Sequence, residues 1–377
     1  MKHKIVLLAC VIGAGLVAVG VWIAAMSSIT GSELFTFKPS PDSFGHSAPV
    51  NALAFSPDSQ LLASGSDDGT AKLWDLETKR ERLILRGQRA GRVRENAGTS
   101  TGVPVRVLAV AFAPNGKALA SGATNETVKL WTTSSGEELS EFKVVAAKKY
   151  GSAWVTSLAF SPENSMLAAG VNNLTGEGND SRCSVIIWKV ASGNEVRTLS
   201  GSMTSYPRLA FIADGTVLAL ANGQKVTLFE VSSGDEKLSL ETQPRGRVIS
   251  MTTSKDGKLL AYGEGRNDPR GKDLPCNVVV WDLLTRKQLV AMKGHTKYVS
   301  SVSFGPDGKL LASGSWDGTV RLWEISTGKE LVVLNEHDGP VYAVTISPDG
   351  KTLASGGKDG IIRIWEVADL LMKNPTK

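Results

Sequence analysis

One unit of about forty residues recurs seven times along this chain, and no other feature restricts its fold so tightly. A unit of that size cannot bury its own apolar face and must stack against its copies. Its first half is a strand closing on Phe-Ser-Pro-Asp-Gly-Lys or a variant, followed by Leu-Ala-Ser-Gly. The copies are Phe55-Ser56-Pro57-Asp58, Phe112-Ala113-Pro114-Asn115, Phe160-Ser161-Pro162-Glu163, Phe211-Ile212-Ala213-Asp214, Thr253-Ser254-Lys255-Asp256, Phe304-Gly305-Pro306-Asp307 and Ile346-Ser347-Pro348-Asp349. Pro presets φ for a turn and Asp-Gly tolerates the tight positions after it, so each copy reads as a hairpin. The second half is an alternating strand ending in Trp74, Trp131, Trp188, Phe229, Trp281, Trp323 or Trp365, then a turn of the Ser/Thr-Gly-x-Glu kind and one more short strand. The pattern predicts an all-β chain of four-stranded units.

These residues resemble the WD-repeat family, which arranges four-stranded blades around a central channel. The resemblance covers about residues 29–370 and implies a seven-bladed propeller. It also implies that a His, a Ser, an Asp and the Trp form a buried hydrogen-bonded set that locks a blade. The matching residues are His46, Ser64, Asp68 and Trp74; His295, Ser313, Asp317 and Trp323; and His337, Ser355, Asp359 and Trp365. Blade two keeps Ser121 and Trp131, has Asn125 in place of the Asp, and lacks the His. Blades three, four and five lack both His and Asp, so they are expected to rely on apolar packing and to form the looser arc.

The last copy runs out after Trp365, before its fourth strand. The missing piece stands at the start, where Thr30-Gly31-Ser32-Glu33-Leu34 matches Thr327-Gly328-Lys329-Glu330-Leu331. Residues 33–37 are therefore predicted to be the outer strand of blade seven, which removes an open edge. Length varies unevenly between copies. The first-to-second and third-to-fourth strand turns hardly change. The extra residues fall at Lys38–Phe44, Gly87–Pro104, Val144–Ser152, Val171–Cys183 and Glu264–Cys276. Propeller geometry puts all five on one face, here termed the top, where a rigid scaffold with variable loops concentrates binding.

Several side chains on that face fall outside the repeat pattern. Trp154 and Tyr298 stand just before the first strands of their blades, and Arg106 and Arg247 take the same place in theirs; Trp316 directly precedes Asp317. Large aromatics and Arg are common interface anchors, although such residues also pack beneath loops. The connection into blade two adds Arg89, Arg92 and Arg94, which read either as a site for an anionic group or as a solvated run. Of four histidines, three are absorbed by the locking sets and His3 precedes the first apolar run, so a metal site or a catalytic triad has no imidazole. No cofactor, metal or nucleic acid is expected, and a net charge of +5 is too mild to indicate one. Cys183 and Cys276 lie in blades separated by a whole blade, too far apart to favour a bridge.

Residues 5–26 are uniformly apolar or small and follow Lys2 and Lys4. A helix of this length crosses a bilayer core of about 30 Å, and the basic flank predicts a cytoplasmic start with the remainder on the far side. The competing reading is a cleaved signal ending near Ala25-Met26-Ser27, which would leave a secreted protein. The expected organisation is a stub and transmembrane helix over 1–28, a propeller over 29–370 and a tail over 371–377. The expected function is that of a non-enzymatic, membrane-tethered scaffold for a protein or peptide. Two alternatives stand beside it: an anionic small-molecule or polymer ligand at the channel mouth, and an enzyme working through a carboxylate cluster there.

Overall fold

Alternation of apolar and small residues, punctuated by turns, gives seven antiparallel four-stranded sheets in chain order. The computed structural model describes residues 33–40, 43–87, 105–144, 152–174, 182–200, 206–212, 214–242, 246–266 and 274–373. Blade one illustrates the pattern, with strands Val50–Phe55, Leu61–Ser66, Ala71–Asp75 and Arg80–Leu85 from the channel outward. The seventh sheet is built from Val341–Ile346, Thr352–Gly357 and Ile362–Glu366, with Glu33–Phe37 as its outermost strand. The predicted latch is thus present: Phe35 pairs with Ile364 and Phe37 with Ile362. Phe37 also stacks on Trp74 of blade one with ring centroids 4.3 Å apart, so the first strand grips both neighbours of the closing seam.

The core is divided into seven apolar clusters, and each joins two adjacent blades. Phe37, Ile362 and Ile364 meet Val50, Leu62 and Trp74 at the closing seam. Ala168, Val185 and Ile187 meet Leu209, Leu218 and Leu220 between blades three and four. The recurring Leu-Ala-Ser-Gly motif is explained by this packing. A Cβ on Gly65 would stand 2.7 Å from Val107, on Gly122 2.4 Å from Val155, and on Gly356 2.7 Å from Val50. The glycine admits the first strand of the next blade. Blade four has Ala221 instead, so its seam with blade five is built differently.

The first hairpin turn requires a left-handed residue, and most copies supply glycine there. Ser59 and Asn164 take the same place in blades one and three at φ 61° and 62°. Such positions cost a non-glycine residue a little strain, least for Asn.

Three expectations are refined. Blade three is longer than the repeat implies: its first strands are Ser152–Phe160 and Met166–Leu174, so part of the expected loop is paired sheet. Trp154 consequently lies inside the first strand, opposite Asn172, and not ahead of it. The chain also ends in a helix, Val367–Lys373, across the expected boundary at residue 370, with Val367 and Leu370 buried against blades six and seven. The expected anchor at 5–26, together with Arg89, Arg92 and Arg94, lies outside the described residues. Among those described, no helix is long and apolar enough to cross a membrane.

Candidate functional site at the channel mouth

The locking sets fix the geometry of one arc. In blade one His46 Nε2 meets Ser64 Oγ at 2.6 Å, His46 Nδ1 meets Asp68 at 2.8 Å, and Trp74 Nε1 donates to Ser64 Oγ at 2.8 Å. Blade six repeats this with His295, Ser313, Asp317 and Trp323 at 2.7, 2.9 and 2.8 Å. Burial opposes the charge of Asp68 and Asp317. The hydrogen bond and charge of the facing histidine nevertheless hold both carboxyls well below the usual range. His295 is shifted down, because burial outweighs Asp317.

Blade seven departs from the expected set. His337 still meets Ser355 at 2.6 Å and Asp359 at 3.0 Å, but Trp365 Nε1 is buried without a hydrogen-bond partner. Ile361 stands where blades one and six have Thr70 and Thr319, whose hydroxyls donate to the locking Asp at 2.6 and 2.7 Å. Arg363 takes that role here, 2.8 Å from Asp359 and 2.9 Å from His337 Nδ1. Trp365 contributes through apolar contact with Leu353 and the C-terminal helix.

The first strands of all seven blades surround a cavity of about 630 Å³ that opens on the top face. Of the candidates named from sequence, Trp154, Arg247, Tyr298 and Trp316 line it. Arg106 does not. Its guanidinium stands 3.7 Å from Asp67, which also accepts a hydrogen bond from Asn51 at 2.7 Å. Tyr298 and Trp316 pack with centroids 5.0 Å apart, and Trp316 meets Tyr342 edge-on at 6.4 Å. This platform from blades six and seven is open to solvent, Trp316 being 39% exposed. Tyr206, 47% exposed, stands on the side of blade four.

Arg208 was not singled out from sequence. Counted back from the end of each first strand, its position holds Ala52, Ala109, Ser157, Ser250, Ser301 and Ala343 in the other blades. A long cation among six small residues was the available signal. Arg208 Nε donates to Ile249 O at 2.6 Å and Nη1 to Thr156 O at 2.8 Å, so one side chain ties blades three, four and five. Burial among protein atoms lowers its pKa, with Tyr206 opposing, although the channel leaves it partly accessible to solvent. Tyr342 was missed for a similar reason. It lies at a bulge in the first strand, where other blades have Asn51, Leu108 or Ser300.

No Asp, Glu, His, Cys or Lys lines the described wall of this cavity. The carboxylate cluster required by an acid–base enzyme is therefore not on that wall. Glu264, buried in blade five, is committed to Arg266 at 3.2 Å and to the amide of Asn277 at 3.3 Å; burial raises its pKa against the pull of Arg266. Among the described residues no group of three or more His, Cys, Asp or Glu side chains is placed to hold a metal ion. Cys183 and Cys276 are buried thiols that donate to Asn172 Oδ1 at 3.5 Å and to Leu274 O at 3.1 Å, and burial pushes Cys183 up to about 11. A second cavity of about 570 Å³ at blade two is lined by charges that pair with one another, Lys129 meeting Glu138 at 2.6 Å and Glu141 at 3.2 Å. It is a solvated groove.

Comparison with known proteins agrees with this architecture. The family model described as "WD domain, G-beta repeat" matches residues 32–75, 98–132, 145–189, 286–324 and 328–366, more than half of the chain. The gap from 190 to 285 falls on blade four and most of blade five. Transcription initiation factor TFIID subunit 5 of Caenorhabditis elegans is 27% identical over 63% of this chain and 32% of its own length. Serine-threonine kinase receptor-associated protein of Gallus gallus is 25% identical over 78% of this chain and 70% of its own. Nuclear distribution protein PAC1 of Arthroderma otae is 26% identical, over 73% and 59% respectively. The chain thus spans about a third of the first of these relatives and more than half of the other two.

Proposed function

Because the chain belongs to the WD-repeat family, we propose that it is a non-enzymatic scaffold that binds a protein or peptide partner at the top-face mouth of its channel. The observation that carries this reading is the mouth itself. Trp154, Tyr206, Tyr298, Trp316 and Tyr342 gather on a wall that has no carboxylate among its described residues, on the face to which propeller geometry assigns the long connections. Rigid aromatic side chains give large contact area at little entropic cost, which is why they anchor interfaces. Two of the relatives, by their names, are a subunit of a larger factor and a receptor-associated protein; membership of an assembly is the same kind of role.

Residues 5–26 serve as a tether in this reading, with the propeller on the extracytoplasmic side. The apolar run and its basic flank support it. Alkaline extraction of membranes should leave the chain in the pellet, and protease added outside the cytoplasm should reach the propeller. Release into the supernatant would favour the secreted alternative.

Binding is tested by recovering partners from solubilised membranes with three forms: the intact chain, a Tyr298→Ala/Trp316→Ala double variant, and a chain shortened at Gly87–Pro104. The mouth variant should lose the partner while keeping its unfolding free energy in urea within about 1 kcal/mol of the parent. An identical set of proteins on all three forms would end this reading. The acid-free wall with Arg208 and Arg247 favours one second reading, an anionic small-molecule or polymer ligand at the same mouth.

A further inference from the structure

The guanidinium of Arg208 is only partly used. Arg carries five N–H donors in a fixed fork, and the carbonyls of Ile249 and Thr156 engage only Nε and Nη1. Among the described residues no carboxylate forms an ion pair with Arg208 or with Arg247, the exposed cation of the next blade. Both line the cavity. Asp67, at the rim of blade one, is shared by Asn51 and Arg106.

A charge held in a protein wall without a counter-ion is costly, and a bound anion offsets that cost. Aromatic side chains stand on both sides of this cation. Trp154 and Tyr206 belong to blades three and four, and the Tyr298–Trp316–Tyr342 platform lies across the channel. Extended chain advances about 3.3 Å per residue, so a short peptide crosses such a mouth with side chains before and after the charged one.

Resting on the function proposed above, we infer that the partner presents an internal Asp or Glu flanked by aromatic or aliphatic residues. Its carboxylate seats on Arg208, with Arg247 at the entrance, and its apolar neighbours lie against the tyrosines and tryptophans. The apolar inner wall (Leu53, Leu158, Met251 and Val302 among others) suits peptide side chains better than sugar hydroxyls.

The test pans the immobilised full-length chain, in detergent, with a library of random decapeptides displayed without a free carboxy terminus. Peptides are scored only if capture is lost on Trp316→Ala. These should be enriched in Asp or Glu beside Phe, Tyr, Trp, Leu or Ile. A synthetic amidated consensus peptide should weaken about 10- to 100-fold when its acid becomes the amide. The same loss should follow Arg208→Gln, and the two changes together should cost little more than either alone. If Arg208→Gln impairs folding, the acid-to-amide peptide series and Arg247→Ala carry the test, the latter reducing affinity about threefold to tenfold and flattening its salt dependence.

Mouth-dependent peptides without acid enrichment would overturn the carboxylate inference and leave the scaffold reading standing, as would binding that requires a free C-terminal carboxylate. If no peptide depends on Trp316 or Tyr298, both fall. A uronate or sialyl oligosaccharide held at the mouth in place of peptides would likewise overturn both, in favour of the anionic ligand.

Discussion

Blades six, seven and one each carry a buried locking set, whereas blades three, four and five have none and rest on apolar seams and on ties between blades. In the first arc a histidine that precedes the blade, His295 being the last residue of blade five's outer strand, is held by a serine hydroxyl and an aspartate of the blade that follows. In the second, Ala169 and Leu220 occupy the serine place and pack in apolar seams, which leaves polar ties between blades of a kind the first arc also has, where the amides of Val344 and Ile346 donate to Ser301 and Ser303 Oγ at 3.0 Å. Ser157 Oγ donates to Pro207 O at 2.8 Å, Arg208 reaches both neighbours, and Thr253 donates to Phe211 O at 3.1 Å. The second arc is tied through the wall of the channel, and that wall is also the candidate binding surface. Partner binding and ring cohesion are therefore most closely coupled at Arg208, whose side chain both bridges three blades and lines the mouth.

Acid is expected to break the comparison most strongly. Asp68, Asp317 and Asp359 all have depressed carboxyl pKa values in the folded state; burial opposes this, and the facing histidines outweigh it. Their stabilisation is present above the unfolded carboxyl range near 4 and is lost as pH falls through the lower folded values. His295, lowered below its ordinary 6.5 by burial, acts in the same direction and earlier. Stability should begin to fall below about pH 6.5 and fall steeply below 4, by several kcal/mol in all. Urea midpoints should show this, with a shallower slope for Asp317→Asn.

Removing a lock comes next. Ser313→Ala leaves the His295 ring and the Trp323 indole short of their shared partner and should cost about 3 kcal/mol in denaturant unfolding. Gly356→Ala places a methyl 2.7 Å from Val50 and should cost about 1–3 kcal/mol. Arg208→Gln removes two cross-blade hydrogen bonds and should cost about 1–2 kcal/mol, leaving the locked arc untouched. The smallest effect is expected from Ala221→Gly, which restores the repeat glycine in blade four. It should destabilise by about 0.5–1 kcal/mol, because no neighbouring strand there needs the space.

Much of this was legible before any coordinates. The seven hairpin copies, from Phe55-Ser56-Pro57-Asp58 to Ile346-Ser347-Pro348-Asp349, and the aromatic that ends each third strand gave the blade count, and the match of Glu33-Leu34 to Glu330-Leu331 gave the latch. Trp154, Arg247, Tyr298 and Trp316 were recognisable because they break a repeat. Arg208 breaks one too, but its meaning depends on carbonyls about 41 and 52 residues away, at Ile249 and Thr156, which only the closed ring brings within bonding distance. The orphaned Trp365 was hidden because Ser355, Asp359 and Trp365 keep the spacing of the other two sets; nor does that spacing show that Arg363 meets the aspartate where the other sets use a threonine hydroxyl. The extended blade three was obscured because its extra residues read equally well as a loop.

Hydrogen exchange on the full chain, comparing the parent with Arg208→Gln, tests the two-arc account most directly. Exchange should rise in the first strands of blades three to five, Ser152–Phe160, Arg208–Phe211 and Arg247–Thr253, and stay unchanged in Val299–Phe304 and Val341–Ile346. A uniform rise around the ring, or none in the three adjoining blades, would contradict it.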